Sequence, residues 1–350
     1  MIIIGEINLV IYKWYQIVVI DIVVAGLIVC VFVFFHHVSK IIVNSIYEKN
    51  TAIEQADTIP SITNVPAYLQ ADTSTSTDEE PDDGMDTKKS EWQIKFSDHF
   101  SDCIIETDNS YVSPNISINI EKCEFNEGST QVSYQFADIY IGRIECFQTY
   151  LAPGVYRETA KEKILPMMKS TNAILAINGD YFTGETNPFI YRNGVLESDG
   201  YIFGTCLAMY YNGEMEYIYP DNDSKENLKN SDIYQIWWFG PPLIDENGCA
   251  YSPPLASGYL AELHPRTAIG YYEPGHYCFV TVDGRHDTQG CGLVDLASIM
   301  EAHGCTLAYN LDGGGSSVMA FNGKYVNTPS SRDSNGDPRA IPDIILIKEP

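Results

Sequence analysis

The sequence has few basic residues for its length. Its 350 residues include 21 Lys and Arg against 47 Asp and Glu, and the formal net charge is −26 at pH 7. A protein that binds nucleic acid or another polyanion through a broad surface needs an excess of positive charge on that surface. The composition therefore argues against a nucleic-acid partner, and any anionic substrate must be met by a few local arginines.

Closely spaced cysteine pairs and internal repeats are also absent. The nine cysteines include no C-x-x-C pair, so the spacing typical of cysteine metal sites is missing. Cys30 lies in an apolar run, and eight cysteines remain in the rest of the chain. Several of these lie in apolar stretches, as ordinary buried thiols do. The pattern leaves their disulfide pairing open.

One long apolar run is present near the N-terminus. Residues Ile17–Phe35 are almost continuously apolar, with Asp21 as the single charge near one end. About 20 apolar residues span a bilayer as a helix, so we expect a transmembrane signal-anchor at 17–35. No small-residue cleavage pattern follows, which favours an uncleaved anchor. Lys13 and Lys40 balance each other, so a cytoplasmic N-terminus is expected only because the bulk of the chain follows the anchor.

The anchor divides the chain into predicted segments. A short tail occupies 1–16, and a stalk or linker occupies 36–92. The stretch TSTSTDEEPDDGMD within the stalk is rich in Thr, Ser and acids, a composition that buries too little apolar surface to fold. We expect the folded domain to span 93–350 on the extracytoplasmic side, in a single-pass membrane protein that contacts the membrane through 17–35.

The folded part has the pattern of an α+β domain, with a mixed β-sheet and helices packed on it. Alternating polar and apolar residues in Tyr111–Ile120 and Gln131–Ile144 predict strands, and the apolar run Ala173–Ile177 predicts a buried strand. The pairs Asn193-Gly194 and Asn212-Gly213 lie between strand-like flanks. Such pairs are typical of β-hairpin turns.

A βαβ unit is predicted near the C-terminus. Tyr277–Val282 and Thr306–Leu311 have the pattern of buried strands, and Leu293–His303 has apolar residues at helical spacing. The strands of a βαβ unit are parallel, and their carboxyl ends lie at one edge of the sheet, where ligand crevices usually form. Asp283 and Asp312 follow these two strands directly. We therefore expect both carboxylates at the same edge.

The residues after the second of these strands form a glycine- and serine-rich stretch, NLDGGGSS at 310–317. Glycines allow the backbone to approach a ligand closely, and successive N–H groups in such a loop can form an anion-binding nest. The simpler interpretation is a tight turn with an incidental Asp312. Asn178 and Asp180 also follow a predicted strand and could join the same edge. Gly315-Ser316 lacks the G-x-S-x-G pattern of a serine-hydrolase elbow.

One acidic loop has a weak resemblance to a calcium site. Asp333, Asn335 and Asp337 place oxygen-bearing side chains at alternating positions, as calcium-binding loops do. The later bidentate glutamate of such loops is missing, since Ile344 occupies its place. A solvated turn is the favoured interpretation, so no cofactor is predicted, and Ca²⁺ at these residues is the weaker alternative.

Six motifs occur in order along the folded part: NGDYF at 178–182, FGPPLI at 239–244, PRTAIG at 265–270, VDGR at 282–285, NLDGGGSS at 310–317 and IPDIILI at 341–347. Together they resemble the phosphodiester glycosidase family, and the resemblance extends from about Tyr111 to the C-terminus. The family includes an uncovering enzyme that removes N-acetylglucosamine from mannose-6-phosphodiesters, and many membrane-anchored bacterial proteins. The resemblance implies a hydrolase that cleaves the glycosidic bond of sugar-1-phosphate diesters on envelope or extracellular glycans.

The resemblance also indicates site residues. Glycoside hydrolysis commonly uses carboxyl groups, and the candidates are Asp180, Asp283 and Asp312. A phosphodiester needs charge stabilisation, which arginines supply in bidentate fashion. The residues expected to bind substrate are Asn178, Arg266, Arg285, Gly313, Gly314, Ser316 and Ser317.

Other interpretations stay open on sequence alone. Each arginine could instead form a structural ion pair with a neighbouring Asp, and His286 is more typical of a loop histidine than of a catalytic base. A non-catalytic glycan-binding module with the same fold, carried on a stalk, is the alternative to an enzyme. The oligomeric state and the sugar are not indicated by the sequence.

Overall fold

The computed structural model describes residues 89–127, 130–182, 187–202, 204–221, 224–251, 255, 258–285, 288–331 and 337–350. They belong to one compact unit, Gly84–Pro350. The predicted tail, the anchor and most of the predicted stalk lie outside the described residues. Within the described residues, no helix has the length and apolar character needed to cross a bilayer.

The described residues are rich in strands and poor in helices, which confirms the sheet-rich α+β prediction. The helices are α1 (Glu91–Lys95), α2 (Ile164–Thr171), α3 (Ser224–Lys229) and α4 (Leu293–Ala302), with short 3-10 turns at Ile144–Cys146, Gly258–Ala261 and Gly314–Ser316. The strands are β1 (Ile105–Glu106), β2 (Ser110–Val112), β3 (Ile116–Glu127), β4 (Thr130–Ile141), β5 (Phe147–Leu151), β6 (Leu175–Asn178), β7 (Phe189–Arg192), β8 (Val195–Asp199), β9 (Cys206–Tyr210), β10 (Met215–Ile218), β11 (Ile233–Trp237), β12 (Arg266–Glu273), β13 (His276–Val282), β14 (Leu307–Asn310), β15 (Met319–Phe321), β16 (Lys324–Tyr325) and β17 (Asp343–Ile347).

Two large sheets carry the fold. A seven-stranded sheet has the order β1-β2-β3-β4-β13-β12-β14, and a five-stranded sheet has the order β16-β15-β6-β17-β5. A three-stranded sheet, β10-β9-β11, and the hairpin β7-β8 complete the described strands. Neighbouring strands of these sheets pair antiparallel throughout. Both predicted Asn-Gly hairpins form, as β7-β8 and β9-β10.

The core lies between the inner faces of these sheets. In β13, Tyr277 and Phe279 face this central core, whereas Cys278 and Val280 face a second cluster under α4. In β17, Ile345 faces the central core, while its neighbours face a third cluster under α2. Side chains alternate between the two faces of a strand, so nearly continuous apolar runs are needed where both faces are covered. The arrangement is a sheet-on-sheet sandwich with a helix on each outer face.

The predicted βαβ unit is present, with one strand inserted between its two strands. β12 pairs antiparallel with both β13 and β14, so β13 and β14 run parallel to each other, and α4 connects them. Arg266 at the start of β12 is opposite Val282 at the end of β13, and Ala268 is opposite Asn310 at the end of β14. The residues after β13 and β14 therefore emerge at one edge, beside the start of β12.

The cysteines of the described residues are all unpaired. Cys103, Cys123, Cys146, Cys206, Cys249, Cys278, Cys291 and Cys305 are free thiols. The Sγ atoms of Cys278 and Cys305 lie 3.6 Å apart. The pairing that the sequence left open is thus resolved for these eight residues in this structure.

Candidate active site

Asn178, at the end of β6, connects this strand to β12 and to the residues that follow β14. Its Nδ2 donates to the backbone oxygen of Asp312 at 2.6 Å. Its Oδ1 accepts from the Thr267 hydroxyl at 2.8 Å and from the Val318 backbone N–H at 3.1 Å. Asn178 is buried, and these bonds tie the five-stranded sheet to the edge of the seven-stranded sheet. The side chain that was predicted to bind substrate is thus engaged in positioning the Asp312 turn.

The Asp312–Ser317 stretch forms a tight turn against the start of β12. The Gly314 N–H donates to the Pro265 oxygen at 2.8 Å, and Gly314 has φ +62°, a conformation that favours glycine. The N–H groups of Gly313, Gly314, Ser316 and Ser317 all donate to protein oxygens. These four amides are used by the turn itself, so they do not form the anion-binding nest expected from the sequence.

Asp312 presents a buried carboxyl group at this turn. Its Oδ1 accepts from the Gly313 N–H at 2.9 Å, and no hydrogen bond within the described residues reaches its Oδ2. The nearest cation is Arg339, whose Nη2 lies 3.5 Å from Oδ2. Burial raises the pKa of the Asp312 carboxyl, against the lowering effect of Ser316 and Arg339. A carboxyl group with an unused oxygen and a raised pKa is suited to proton transfer.

Two exposed guanidinium groups border the same turn. The Arg285 Nη2 lies 3.0 Å from the position that a Cβ on Gly314 would take, and Arg285 has φ +70°. Arg339 donates from Nε to the Ser316 hydroxyl at 3.0 Å, and its Nη2 contacts the same hydroxyl. Positive charge next to a carboxyl group, in a chain with net charge −26, is an arrangement that can bind an anion. Arg339 was not predicted as a site residue.

Arg266, which was predicted to bind phosphate, is buried and bound to backbone oxygens. Its Nε donates to Cys291 at 3.1 Å, and its Nη2 donates to Glu262 at 2.9 Å and to Leu260 at 3.3 Å. Burial lowers the pKa of its guanidinium. These contacts connect the segment before β12 to the residues before α4. Arg266 therefore stabilises the backbone at the edge of the site.

Asp180 belongs to a buried charge cluster behind the turn. Asp180 and Asp343 both pair with Arg192, through contacts of 2.8 and 3.0 Å to its Nη2. The Phe239 N–H also donates to Asp180 at 3.0 Å. Burial raises the pKa of both carboxyls, and the pKa of Asp343 reaches about 7. Two carboxyls and one guanidinium carry a net charge of −1 when fully ionised, so the cluster favours retention of a proton.

Asp283 lies beside the turn, at the edge predicted for it. Its Oδ1 accepts from the Asn327 side chain at 2.9 Å and from the Thr328 N–H at 2.9 Å, so it holds the segment that follows β16. Ser317 is buried, and its hydroxyl has no hydrogen-bond partner within the described residues.

The structure thus separates the predicted residues into two groups. The turn itself brings together Asp312, Arg285, Gly313, Gly314, Ser316 and Ser317, with Arg339 beside them. Asn178, Asp180, Arg266 and Asp283 surround the turn and hold it through bonds to other protein groups.

Three groups were missed by the sequence analysis. Arg192 was seen only as part of a hairpin, and Asp343 as part of an apolar strand. A charged residue inside a fully buried run was the available signal for Asp343, since such a residue is almost always paired. Arg339 gave no comparable local signal.

Some predicted positions lie outside the described residues. These are His286, Asp333 and Asn335. The third residue of the calcium alternative, Asp337, contacts Lys163 at 3.1 Å.

Comparison with known sequences identifies a family and several relatives. The sequence model described as phosphodiester glycosidase matches residues 171–348. The chain is 30% identical over 205 residues to the SPbeta prophage-derived uncharacterized protein YomE of Bacillus subtilis (strain 168), a match that covers 55% of this chain and 30% of that protein. It is 31% identical over 95 residues to N-acetylglucosamine-1-phosphodiester alpha-N-acetylglucosaminidase of Bos taurus, covering 26% of this chain and 18% of the relative. The matches thus span less than a third of the length of these relatives.

Two solved structures share the fold. The catalytic domain of zebrafish N-acetylglucosamine-1-phosphodiester alpha-N-acetylglucosaminidase, auto-inhibited by its pro-peptide, superposes with a TM-score of 0.58 at 23% identity, covering 68% of this chain and 85% of that one. A hypothetical protein from Synechocystis superposes with a TM-score of 0.52 at 13% identity, covering 67% of this chain and 62% of the other.

Proposed function

This chain belongs to the phosphodiester glycosidase family, and on that premise we propose that it hydrolyses the glycosidic C–O bond of a sugar-1-phosphate diester. The products would be a free sugar and a phosphomonoester. The observation that carries the proposal is the Asp312 turn. A buried carboxyl with an unused Oδ2 lies there beside the exposed guanidinium groups of Arg285 and Arg339.

The two guanidinium groups serve the leaving group in this proposal. As the C–O bond breaks, the bonding electrons move to the phosphate oxygen, and the phosphate gains negative charge. Arg285 and Arg339 stabilise that charge, because preorganised donors act most strongly where charge develops in the transition state. An acidic phosphate leaving group needs little protonation, so the demand for a general acid is smaller than for an ordinary glycoside.

Asp312 serves the sugar side of the reaction. An ionised Asp312 stabilises the positive charge that develops at the anomeric carbon, as carboxylates do in glycosidases. Its Oδ2 then takes the proton that the attacking water loses, and the hydroxyl of that water stays on the sugar. Asp180, Asp283 and Asn178 act indirectly, since their side chains are bound to groups that hold the turn in place.

The cellular setting of this activity is also part of the proposal. The apolar run at 17–35 would anchor the protein with its N-terminus in the cytoplasm, and the acidic stalk would hold the folded domain on the extracytoplasmic side. The substrates there would be phosphodiester-linked sugars of envelope or extracellular glycans. The support is the composition of the N-terminal 92 residues.

A panel of sugar-1-phosphodiesters with different sugars tests the proposal. The wild-type protein should release free sugar from at least one member, and Asp312→Asn should lower the rate by about 10²–10⁴-fold, the usual contribution of a group that transfers a proton. Sugar binding without release from any member, by a folded protein, would instead favour the non-catalytic glycan-binding module.

A further inference from the structure

We infer that His264 is a positioning residue, which holds the Arg285 guanidinium in place for the phosphate of the substrate. The identity of the anion as a phosphodiester rests on the function proposed above. His264 lies immediately before Pro265 and Arg266 at the start of β12, and nothing in the sequence motifs assigned it a role. The inference comes from its two side-chain contacts and from the way its backbone is fixed.

The His264 ring connects a carboxylate to the guanidinium. Its Nδ1 lies 3.2 Å from the Arg285 Nη2, and its Nε2 lies 3.1 Å from the Glu262 Oε2. A guanidinium group only donates hydrogen bonds and a carboxylate only accepts them. The pattern of partners therefore assigns the proton to Nε2 and the lone pair to Nδ1, which accepts from Arg285. Glu262 selects this tautomer, as a carboxylate does for a histidine that must present its other nitrogen as an acceptor.

The backbone of His264 has little freedom to move. Its N–H donates to the Cys291 oxygen at 3.2 Å, and the Cys291 N–H donates back at 3.0 Å. Gly290, at φ +83°, packs so closely that a Cβ there would overlap the His264 carbonyl group. Arg266 donates to the oxygens of both Cys291 and Glu262. The buried Arg266 thus fixes the backbone of Glu262, the carboxylate partner of the ring. It also fixes the backbone of Cys291, which is hydrogen-bonded to the backbone of His264.

Arg285 needs such support because its own position is costly. Its φ of +70° is in the left-handed region, which is unfavourable for a residue with a side chain. Unusual backbone conformations of this kind persist where the surrounding structure enforces them, and they cluster at functional sites. The side chain is exposed, and an exposed arginine that moves freely must be ordered when a ligand binds, which weakens affinity.

The contact with His264 reduces the cost of ordering the Arg285 side chain when a ligand binds. A guanidinium group carries several N–H donors, so one can be fixed by the ring while others bind phosphate oxygens. The Tyr259 ring packs against the His264 ring, with centroids 4.9 Å apart, and adds a further restraint on the ring. A line of contacts therefore runs from Glu262 through His264 to Arg285. It orients the Arg285 guanidinium beside the Asp312 turn.

Binding of dimethyl phosphate, followed by phosphorus NMR titration, tests the inference without requiring turnover. This probe has a phosphodiester and no glycosidic bond. His264→Leu removes the acceptor and should weaken binding about tenfold, close to the effect of Arg285→Ala, since hydrogen bonds to charged groups are worth that much or more. His264→Gln retains a neutral acceptor and should bind within about twofold of the wild type. Melting temperatures verify that each variant is folded.

The control is His99→Leu, which removes another histidine at the far end of the fold. His99 stacks on Tyr140, which pairs with His276 at the start of β13, at the opposite end of β13 from Val282. This variant should bind the probe as the wild type does. In a turnover assay with an active phosphodiester, His264→Leu should raise KM, and His264→Gln should restore it.

The outcomes separate this inference from the proposed function. Wild-type affinity in a folded His264→Leu variant would overturn the positioning role, as would a wild-type protein that does not bind the probe. A His264→Gln variant as weak as His264→Leu would also count against it. Probe binding that depends on His264, in a protein that hydrolyses no sugar phosphodiester, would support the inference and contradict the glycosidase assignment.

Discussion

Arg285 combines an unfavourable backbone conformation with the phosphate-binding role proposed for it, and this combination can be tested directly. Arg285→Gly relieves the positive φ and removes the guanidinium. We expect the free energy of unfolding to stay the same or rise by up to about 1 kcal/mol, because glycine gains in the left-handed region and loses through greater unfolded-state entropy. Phosphodiester turnover should fall steeply. Urea unfolding and kcat/KM on the same preparation measure both effects.

A matched control for Arg285→Gly is Asn172→Gly. Asn172 ends α2 at φ +57°, so the substitution changes the backbone preference in the same way at a residue unconnected with the Asp312 turn. Its stability should respond similarly and its turnover should not change. A loss of stability in Arg285→Gly well beyond that of Asn172→Gly would mean that the arginine side chain holds the fold.

The cluster of Asp180, Arg192 and Asp343 predicts a dependence of stability on pH. Burial raises the pKa of Asp343 to about 7, whereas an unfolded Asp has a pKa of about 3.9. Between these values the folded state holds a proton that the unfolded state has lost. The free energy of unfolding should therefore decrease as pH rises from about 4 to 7, by at most about 1.4 kcal/mol per pH unit.

Asp343→Asn isolates this contribution, because the amide keeps the shape and cannot ionise. Urea unfolding of the wild type and the variant at several pH values between 4 and 8 should give a smaller decrease for the variant. Asp199→Asn is the control, since Asp199 is half-exposed and pairs with two lysines at the surface. Parallel curves for the wild type and Asp343→Asn would show that Asp343 is ionised throughout this range.

At the scale of the elements, the sequence predicted the positions of strands along the chain better than it predicted which strands pair with each other. The runs at 173–177, 277–282 and 306–311 became β6, β13 and β14, because alternation and apolar content are local signals. The insertion of β12 between β13 and β14 was not predictable in this way, since pairing between strands distant in sequence leaves no local pattern. The parallel direction of β13 and β14 was nevertheless correct, because the helix between them requires a crossover.

The same distinction applies to the site. The Asp312 turn was predicted because its glycines and serines are adjacent in sequence. The pairing of Arg192 with Asp180 and Asp343 joins a residue of β7 to one that follows β6 and one that begins β17. It therefore depends on how the β7-β8 hairpin packs against the five-stranded sheet. Arg339 reaches Ser316 and Asp312 from the segment before β17. Contacts of this range require the fold, so the sequence assigned the phosphate role to Arg266 and Arg285 and did not include Arg339, for which we propose that role.

A single methyl group added within the Asp312 turn should affect both stability and phosphodiester binding. In Gly314→Ala, the new Cβ would lie 3.0 Å from the Arg285 Nη2, and the residue would keep φ +62°. We expect a loss of about 1–2 kcal/mol of stability from the backbone, together with a loss of phosphodiester binding from displacement of the guanidinium. Calorimetric melting and titration with dimethyl phosphate measure the two effects.

Gly304→Ala is the control for this turn. Gly304 has φ +77°, and a Cβ there would meet no atom within 4 Å. It should lose a similar amount of stability and bind dimethyl phosphate normally. Equal binding by the two variants would show that the position of Arg285 over Gly314 is not needed for the anion.

At the scale of the whole molecule, the start of the folded domain can be refined. The sequence placed it at residue 93, after the stalk. Ser90 accepts from the Gln93 N–H at 3.1 Å as the cap of α1, and Gln93 donates to the Pro114 oxygen at 2.9 Å. A fragment that starts at Lys89 should therefore be more stable than one that starts at Trp92 by at least about 1 kcal/mol, the usual value of an N-cap.

Urea unfolding of the two fragments measures this difference, and their turnover should be equal because α1 is not part of the Asp312 turn. Ser90→Ala in the longer fragment should reproduce most of the loss. Identical stability of the two fragments would mean that the cap contributes nothing and that the domain begins at or after Trp92.

In the folded domain, the Asp312 turn lies where the two large sheets meet. Asn178 connects the two sheets there through its side-chain hydrogen bonds. This arrangement explains how a short turn can hold a carboxyl and two guanidinium groups in place. In the reaction that we propose, these groups cleave the C–O bond on the sugar side of a phosphodiester. Cleavage of the P–O bond would be a different reaction, and it would give the same two products.

Hydrolysis in water enriched in oxygen-18 distinguishes the two reactions. The oxygen of the attacking water enters the sugar when the C–O bond breaks, and it enters the phosphate when the P–O bond breaks. Mass spectrometry of the phosphomonoester released by the wild-type protein should show no oxygen-18 above that of an unlabelled standard. Incorporation of one oxygen-18 atom into the phosphomonoester would contradict the account.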